Sequence, residues 1–221
     1  MNKKEITIVV CALLLLLSLG SCGKVKEDEL AVTQQESSPQ VVESTDEEMT
    51  SEELFDLFIN GSIDAVDSKD MTSRFNIADF NIGSEEWDSY SIGEKMDLDN
   101  DGENELIICG AYGGIYLDAR DNKVYSFAMG DGSANILSYT YYNGVIWIMY
   151  SNSMNEGYEC YHMEKYEGAD NLVAEINFSA ELVDANNPRA GMKYLLNGKE
   201  ISYDEYIAFG SKIFAAEVST Y

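Results

Sequence analysis

The sequence predicts an α+β domain, an antiparallel β meander flanked by an N-terminal and a C-terminal helix. Two observations predict it. A capping box stands near each end of the domain, and the interval between them is filled by short runs rich in Ile, Val and Tyr, cut by glycine and asparagine turns. The chain has 221 residues. Once an N-terminal leader and a polar stretch are set aside, what remains suffices for one ordinary core, so residues 49–221 are read as a single globular domain.

The elements follow in order. Thr50 and Glu53 have capping-box spacing, and Leu54, Phe55, Leu57 and Phe58 form a helical stripe that ends at Gly61. From about Asp70 to Ser89 the signals are weak, with turns or short helices around Ile77 and from Glu85 to Trp87. Strands are expected at Glu105–Cys109, Ile115–Ala119, Val124–Met129, Ala134–Tyr142, Val145–Ser151, Tyr158–Tyr166 and Val173–Ser179. Between them stand Gly113-Gly114, Asp121-Asn122, Gly130-Asp131-Gly132, Asn143-Gly144 and Glu156-Gly157. Asn143-Gly144 is the clearest hairpin, because a type I′ turn needs positive φ at both central residues. Gly130-Asp131-Gly132 opens a strand instead of a helix and is read as a hairpin turn, not a phosphate loop. Consecutive hairpins argue for one antiparallel sheet. The second helix starts at a Ser202/Glu205 capping box with Ile201 and Tyr206 as a hydrophobic staple, and Ile207, Phe209, Ile213 and Phe214 are its expected buried face.

The N-terminus reads as a leader. Asn2, Lys3 and Lys4 precede the uncharged run Ile8–Leu19, which is too short to span a bilayer, since a spanning helix needs about 20 apolar residues. The run ends in Leu19-Gly20-Ser21-Cys22, which resembles the lipobox of bacterial lipoproteins. That resemblance implies a signal peptide over residues 1–21, a diacylglyceryl lipid on Cys22, and a domain tethered to a membrane outside the cytoplasm. Residues 22–48 are then an acidic tether, because Gly23–Glu48 contains no aromatic residue and cannot bury enough apolar area to fold. Cys11 leaves with the leader. Cys109 and Cys160 remain, and export makes a disulfide between them feasible, with two buried free thiols as the alternative.

The charge is −26 for the whole chain. Removing Lys3, Lys4 and Glu5 with the leader leaves 12 basic and 39 acidic residues, a charge of −27. Such a field repels nucleic acid and anionic lipid and suits a cation binder or a soluble surface protein.

One segment has chemistry in its spacing, Asp97-Leu98-Asp99-Asn100-Asp101-Gly102-Glu103-Asn104-Glu105. Carboxylates at alternate positions followed by glycine can wrap one hard cation. Asp97, Asp99 and Asp101 would donate side-chain oxygens, Glu103 its carbonyl and Glu105 a fifth contact, with Gly102 making the turn. The segment resembles the loops of EF-hands and dockerins, and more closely those of FG-GAP and VCBS-type extracellular β proteins, where a strand follows. Leu106-Ile107-Ile108 is such a strand. The resemblance implies Ca2+. It departs from the EF-hand at position 12, where Ile108 stands in place of the bidentate glutamate, which argues against sensor-grade affinity; a weaker loop could still fill, and a ligand could come from elsewhere in the chain. Leader, tether, loop, meander and closing helix together resemble surface lipoproteins of Gram-positive anaerobes, which implies a location and no activity.

Catalytic constellations are weak by comparison. His162 is the single histidine, with no nucleophile or orienting acid assignable to it, and the sequence lacks the histidines and thiols of an evident zinc site. The expected function is a lipid-anchored binding or interaction module, stabilised by calcium and facing a surface glycan or protein. The alternative is a surface hydrolase of glycan or peptide acting through unidentified carboxylates. Trp87, Trp147 and the tyrosines could build a sugar-stacking platform or serve as core and cross-strand pairs.

Overall fold

A computed structural model describes residues 48–152, 158–215 and 217–219. The leader at 1–21, Cys22 and all of the tether before Glu48 lie outside the described residues.

Helix α1 (Ser51–Ile59) starts where the capping box places it. The Thr50 hydroxyl accepts the Glu53 amide at 3.3 Å and the Glu53 carboxylate accepts the Thr50 amide at 2.9 Å. Leu54, Phe55 and Phe58 form its buried face. The strands are β1 (Ala65–Asp67), β2 (Arg74–Phe75), β3 (Ser91–Met96), β4 (Glu105–Cys109), β5 (Ile115–Arg120), β6 (Lys123–Met129), β7 (Ile136–Tyr142), β8 (Val145–Asn152), β9 (Tyr158–Tyr166), β10 (Leu172–Leu182), β11 (Met192–Leu196) and β12 (Lys199–Ile201). Helix α2 (Tyr203–Phe214) and strand β13 (Glu217–Ser219) follow.

The domain is α+β, but the expectation of a single sheet closed by two terminal helices is corrected. There are two sheets, ordered β2-β1-β6-β5-β4-β3 and β12-β11-β10-β9-β8-β7-β13. The second sheet is an antiparallel meander from β7 to β12. The first is mixed, because β1 runs parallel to β6. After α2 the chain returns as β13, antiparallel to β7, so the helix connects two strands instead of ending the domain. The division falls at Gly130-Asp131-Gly132, which therefore joins two sheets and is not a hairpin. A Cβ on Gly130 would lie 1.9 Å from the Tyr112 carbonyl oxygen, a contact only glycine permits, and this close approach carries the chain away from its former partner.

Three apolar clusters show four layers. Leu54, Phe55 and Phe58 of α1 pack on Leu106, Ile108, Ile115 and Leu117 of the first sheet. The opposite face, with Ile107, Tyr116 and Phe127, meets Leu137, Tyr139, Ile148 and Tyr166 of the second sheet. That sheet's outer face, with Trp147, Met149, Met163 and Phe178, is covered by Tyr206 and Ile213 of α2. The expected buried face of α2 is met at Phe209 and Ile213 and missed at Ile207 and Phe214. Tyr206, Phe209, Gly210 and Ile213 recur at helical spacing and point inward, whereas Ile207 is 45 % and Phe214 39 % exposed. Among the described residues no helix is long and apolar enough to cross a membrane.

Candidate metal centre

The acidic loop connects β3 to β4. Two left-handed residues shape it, Asn100 with φ 65° and Gly102 with φ 96°. The turn is held by its own carboxylates, as the Asp101 amide donates to Asp99 Oδ1 at 3.1 Å and the Glu103 amide to Asp101 Oδ1 at 2.8 Å. Oxygens of Asp97, Asp99 and Asp101 lie within 4.8 Å of one another, which brings the expected trio together.

Glu105 is the first residue of β4, and its side chain is 1 % exposed. Its Oε2 accepts the amides of Leu98 and Asp99. A second trio, Asp99, Glu105 and Asp118, also falls within 4.8 Å, so Asp99 belongs to both. Neither trio includes the Glu103 carboxylate.

Asp118 is the ligand candidate that the sequence reading did not name. It lies on β5, one step beyond the Leu106–Leu117 pair, which sets it opposite Glu105. An aspartate alternating with Tyr116 on the inward face of a strand is the one signal that could have revealed it. Ile108, at EF-hand position 12, cannot serve, because it is fully buried under α1 on the other face of the sheet. The neighbouring strand instead brings an Asp118 oxygen within 4.8 Å of Asp99 and Glu105.

The cluster is poor in positive charge and short of donors. Asp97 Oδ1 and Asp99 Oδ2 are buried with no hydrogen-bond partner. The Arg120 guanidinium pairs with Asp118, lies 4.3 Å from the Tyr125 ring centroid, and reaches Asp170 at 4.0 Å. Burial, followed by repulsion from Asp101, pushes Asp99 up to about 6. Burial, followed by repulsion from Asp99, pushes Glu105 up to about 8. These are the shifts expected of acids enclosed together without a cation. Carboxylates on alternate positions, two of them with unpaired oxygens, suit a hard divalent ion that takes six to eight oxygen ligands.

The loop is also fastened across the sandwich. The Asn100 amide donates to the carbonyls of Ile146 and Tyr166, both at 3.1 Å, and its oxygen accepts the Ile146 amide at 2.9 Å. The Gly168 amide donates to the Asp99 carbonyl at 3.3 Å. A loop of the first sheet thus grips β8 and the β9–β10 turn of the second.

Cys109 and Cys160 stand as free, half-buried thiols on different sheets, and burial pushes the Cys109 thiol up. The chain matches no family model, no curated protein and no solved structure.

Proposed function

We propose that this chain is a lipid-anchored, extracytoplasmic binding module whose two sheets are held together by one calcium ion at Asp97, Asp99, Asp101, Glu103, Glu105 and Asp118. The unpartnered buried oxygens of Asp97 and Asp99 carry this reading. A buried carboxylate oxygen without a donor or cation is strongly destabilising, and a bound cation removes that penalty. Lipidation of Cys22, read from the leader, supplies the location.

A binding role is favoured over hydrolysis by the cleft beside β3. It has a volume of about 400 Å3 and is lined by Trp87, Ser89, Tyr90, Ser91, Cys109 and Tyr112 among others. Trp87 is 80 % exposed, an unusual state for the largest apolar side chain. Tyr112 is held at φ 59°, ψ 23°, a conformation that a bulky side chain avoids, and it too faces solvent in part. Among the described residues the lining contains no carboxylate, and the cleft offers ring faces and hydroxyls to a surface glycan or protein chain.

Calorimetric titration of calcium into the chelator-treated mature chain carrying Cys22→Ser tests the reading. One ion is expected to bind with a dissociation constant of about 10⁻³ M or tighter and to raise the melting temperature. Absence of both heat and melting shift would overturn it.

A further inference from the structure

A second cluster of titratable side chains lies where three strands of the second sheet run side by side. His162 and Glu164 alternate on β9, Glu175 of β10 is the cross-strand partner of Glu164, and Asn177 of β10 is the partner of His162. Register therefore brings one imidazole and two carboxylates to a single spot on one face. His162 Nε2 lies 3.1 Å from Glu164 Oε1 and 3.5 Å from Glu175 Oε1.

These separations are informative. The 3.1 Å contact to Glu164 is within the range of an ordinary N–H···O hydrogen bond, whereas the 3.5 Å contact to Glu175 is beyond it. Ligand atoms about 2.1 Å from a tetrahedral zinc stand about 3.4 Å apart, and the observed pair brackets that value. The surrounding groups orient the ligands as well. Asn177 Oδ1 contacts His162 Nδ1 at 2.8 Å, which puts the ring hydrogen on Nδ1 and leaves the Nε2 lone pair facing the two carboxylates. The Tyr166 hydroxyl donates to Glu164 Oε2 at 2.7 Å, leaving Oε1 for the site.

An independent observation comes from β8. Tyr150 is paired opposite His162, stacks on its ring with centroids 6.2 Å apart, and is 7 % exposed. Its hydroxyl is buried without a hydrogen-bond partner. A buried, unpartnered hydroxyl on a ring stacked against the imidazole is a group that a ligand bound at this cluster would satisfy.

We propose that His162, Glu164 and Glu175 form a zinc site, with three protein ligands and a fourth position left to water. Glu164 is nearly buried, whereas the Glu175 side chain is 54 % and the His162 side chain 30 % exposed, so an ion enters from the Glu175 side. The ligand set of one imidazole and two carboxylates matches a borderline divalent ion better than calcium, which prefers oxygen throughout. The site does not depend on the proposed calcium centre, with which it shares no residue.

The test is zinc titration into the mature Cys22→Ser chain by calorimetry, in saturating calcium so that the acidic loop does not compete. One zinc ion is expected per chain. His162→Ala is expected to weaken it more than about 100-fold, and Asn177→Ala, which removes only the orienting contact, by about 10- to 100-fold. Cobalt in place of zinc is expected to give the intense visible bands of a four-coordinate ion, absent in His162→Ala. Glu175→Gln, a half-exposed change that leaves the fold intact, is expected to weaken zinc and cobalt together. The proposal is overturned if wild type binds no zinc, which would make the trio an imidazolium held by two carboxylates. It is equally overturned if zinc binds His162→Ala and Glu175→Gln as tightly as wild type, which would place the ion elsewhere.

Discussion

The loop Asp97–Glu105 and the patch His162–Glu164–Glu175 are both acidic clusters, yet they are built in opposite ways. The loop gathers carboxylates that are close in sequence, encloses Asp99 and Glu105 almost completely, and leaves oxygens without partners. The patch gathers residues from two strands that only register makes neighbours, keeps Glu175 in water, and faces its carboxylates with an imidazole. Local sequence thus gathers an all-oxygen cluster, and sheet pairing gathers a mixed one. The first is fastened to both sheets through Asn100, so its occupancy bears on the fold. The second rides on a meander whose core is already complete.

The largest expected difference is in stability. Asp99→Asn is expected to abolish the calcium-dependent rise in melting temperature, weakening calcium more than about 100-fold because Asp99 belongs to both trios. The same variant is expected to melt higher than wild type in chelator, since it removes one of several repelling charges. Zinc titration should be unchanged, and if it also fails the two sites are not separate. Asp118→Asn is expected to weaken calcium by about tenfold, as a single oxygen ligand would.

Acidity sharpens the contrast next. With calcium removed, the folded domain holds protons on Asp99 to about pH 6 and on Glu105 to about pH 8, whereas the unfolded chain releases them near pH 4. Between those limits the folded state binds more protons, so stability falls as pH rises from about 4 to about 8. Urea midpoints measured in chelator at pH 5, 6, 7 and 8 should decline in that order. Saturating calcium should flatten the decline, because the ion replaces the protons. A chelated protein equally stable at pH 5 and pH 8 would show that the acids are not enclosed together.

Asn100→Ala comes third. It removes three hydrogen bonds between the loop and the second sheet and puts alanine at φ 65°, which together should lower stability by about 3 kcal/mol in equilibrium denaturation. A loss below about 1 kcal/mol would mean that the loop does not couple the sheets. The smallest effect is expected at Glu103→Gln. Its side chain is exposed and outside both trios, so calcium affinity in calorimetry should change less than about threefold.

Much of this was legible from the residues in order. The cap at Thr50, the cap at Ser202 and the bounds of Glu105–Cys109 and Tyr158–Tyr166 coincide with the structure, because capping and alternation are local interactions. The loop was legible for the same reason. Strands β1, β2 and β12 were not, since two or three residues are too few to show a period. Strand β3 was missed because Ser91, Gly93, Glu94 and Lys95 stand on an edge strand where polar side chains meet water. The clustering of Glu164 and Glu175 with His162, and of Asp118 with the loop, was invisible because a strand is indifferent to which strand it will face.

The sequence by itself determined where helices begin, which runs extend, and that Asp97, Asp99 and Asp101 of one short loop stand together, since each depends on neighbours a few positions apart. The tertiary structure alone decided that the meander splits into two sheets at Gly130, that β13 returns to β7, that Asp118 joins the loop, and that Glu175 meets His162. Those outcomes rest on backbone approach and strand register, in which residues far apart along the chain become neighbours through packing energy that no local pattern encodes.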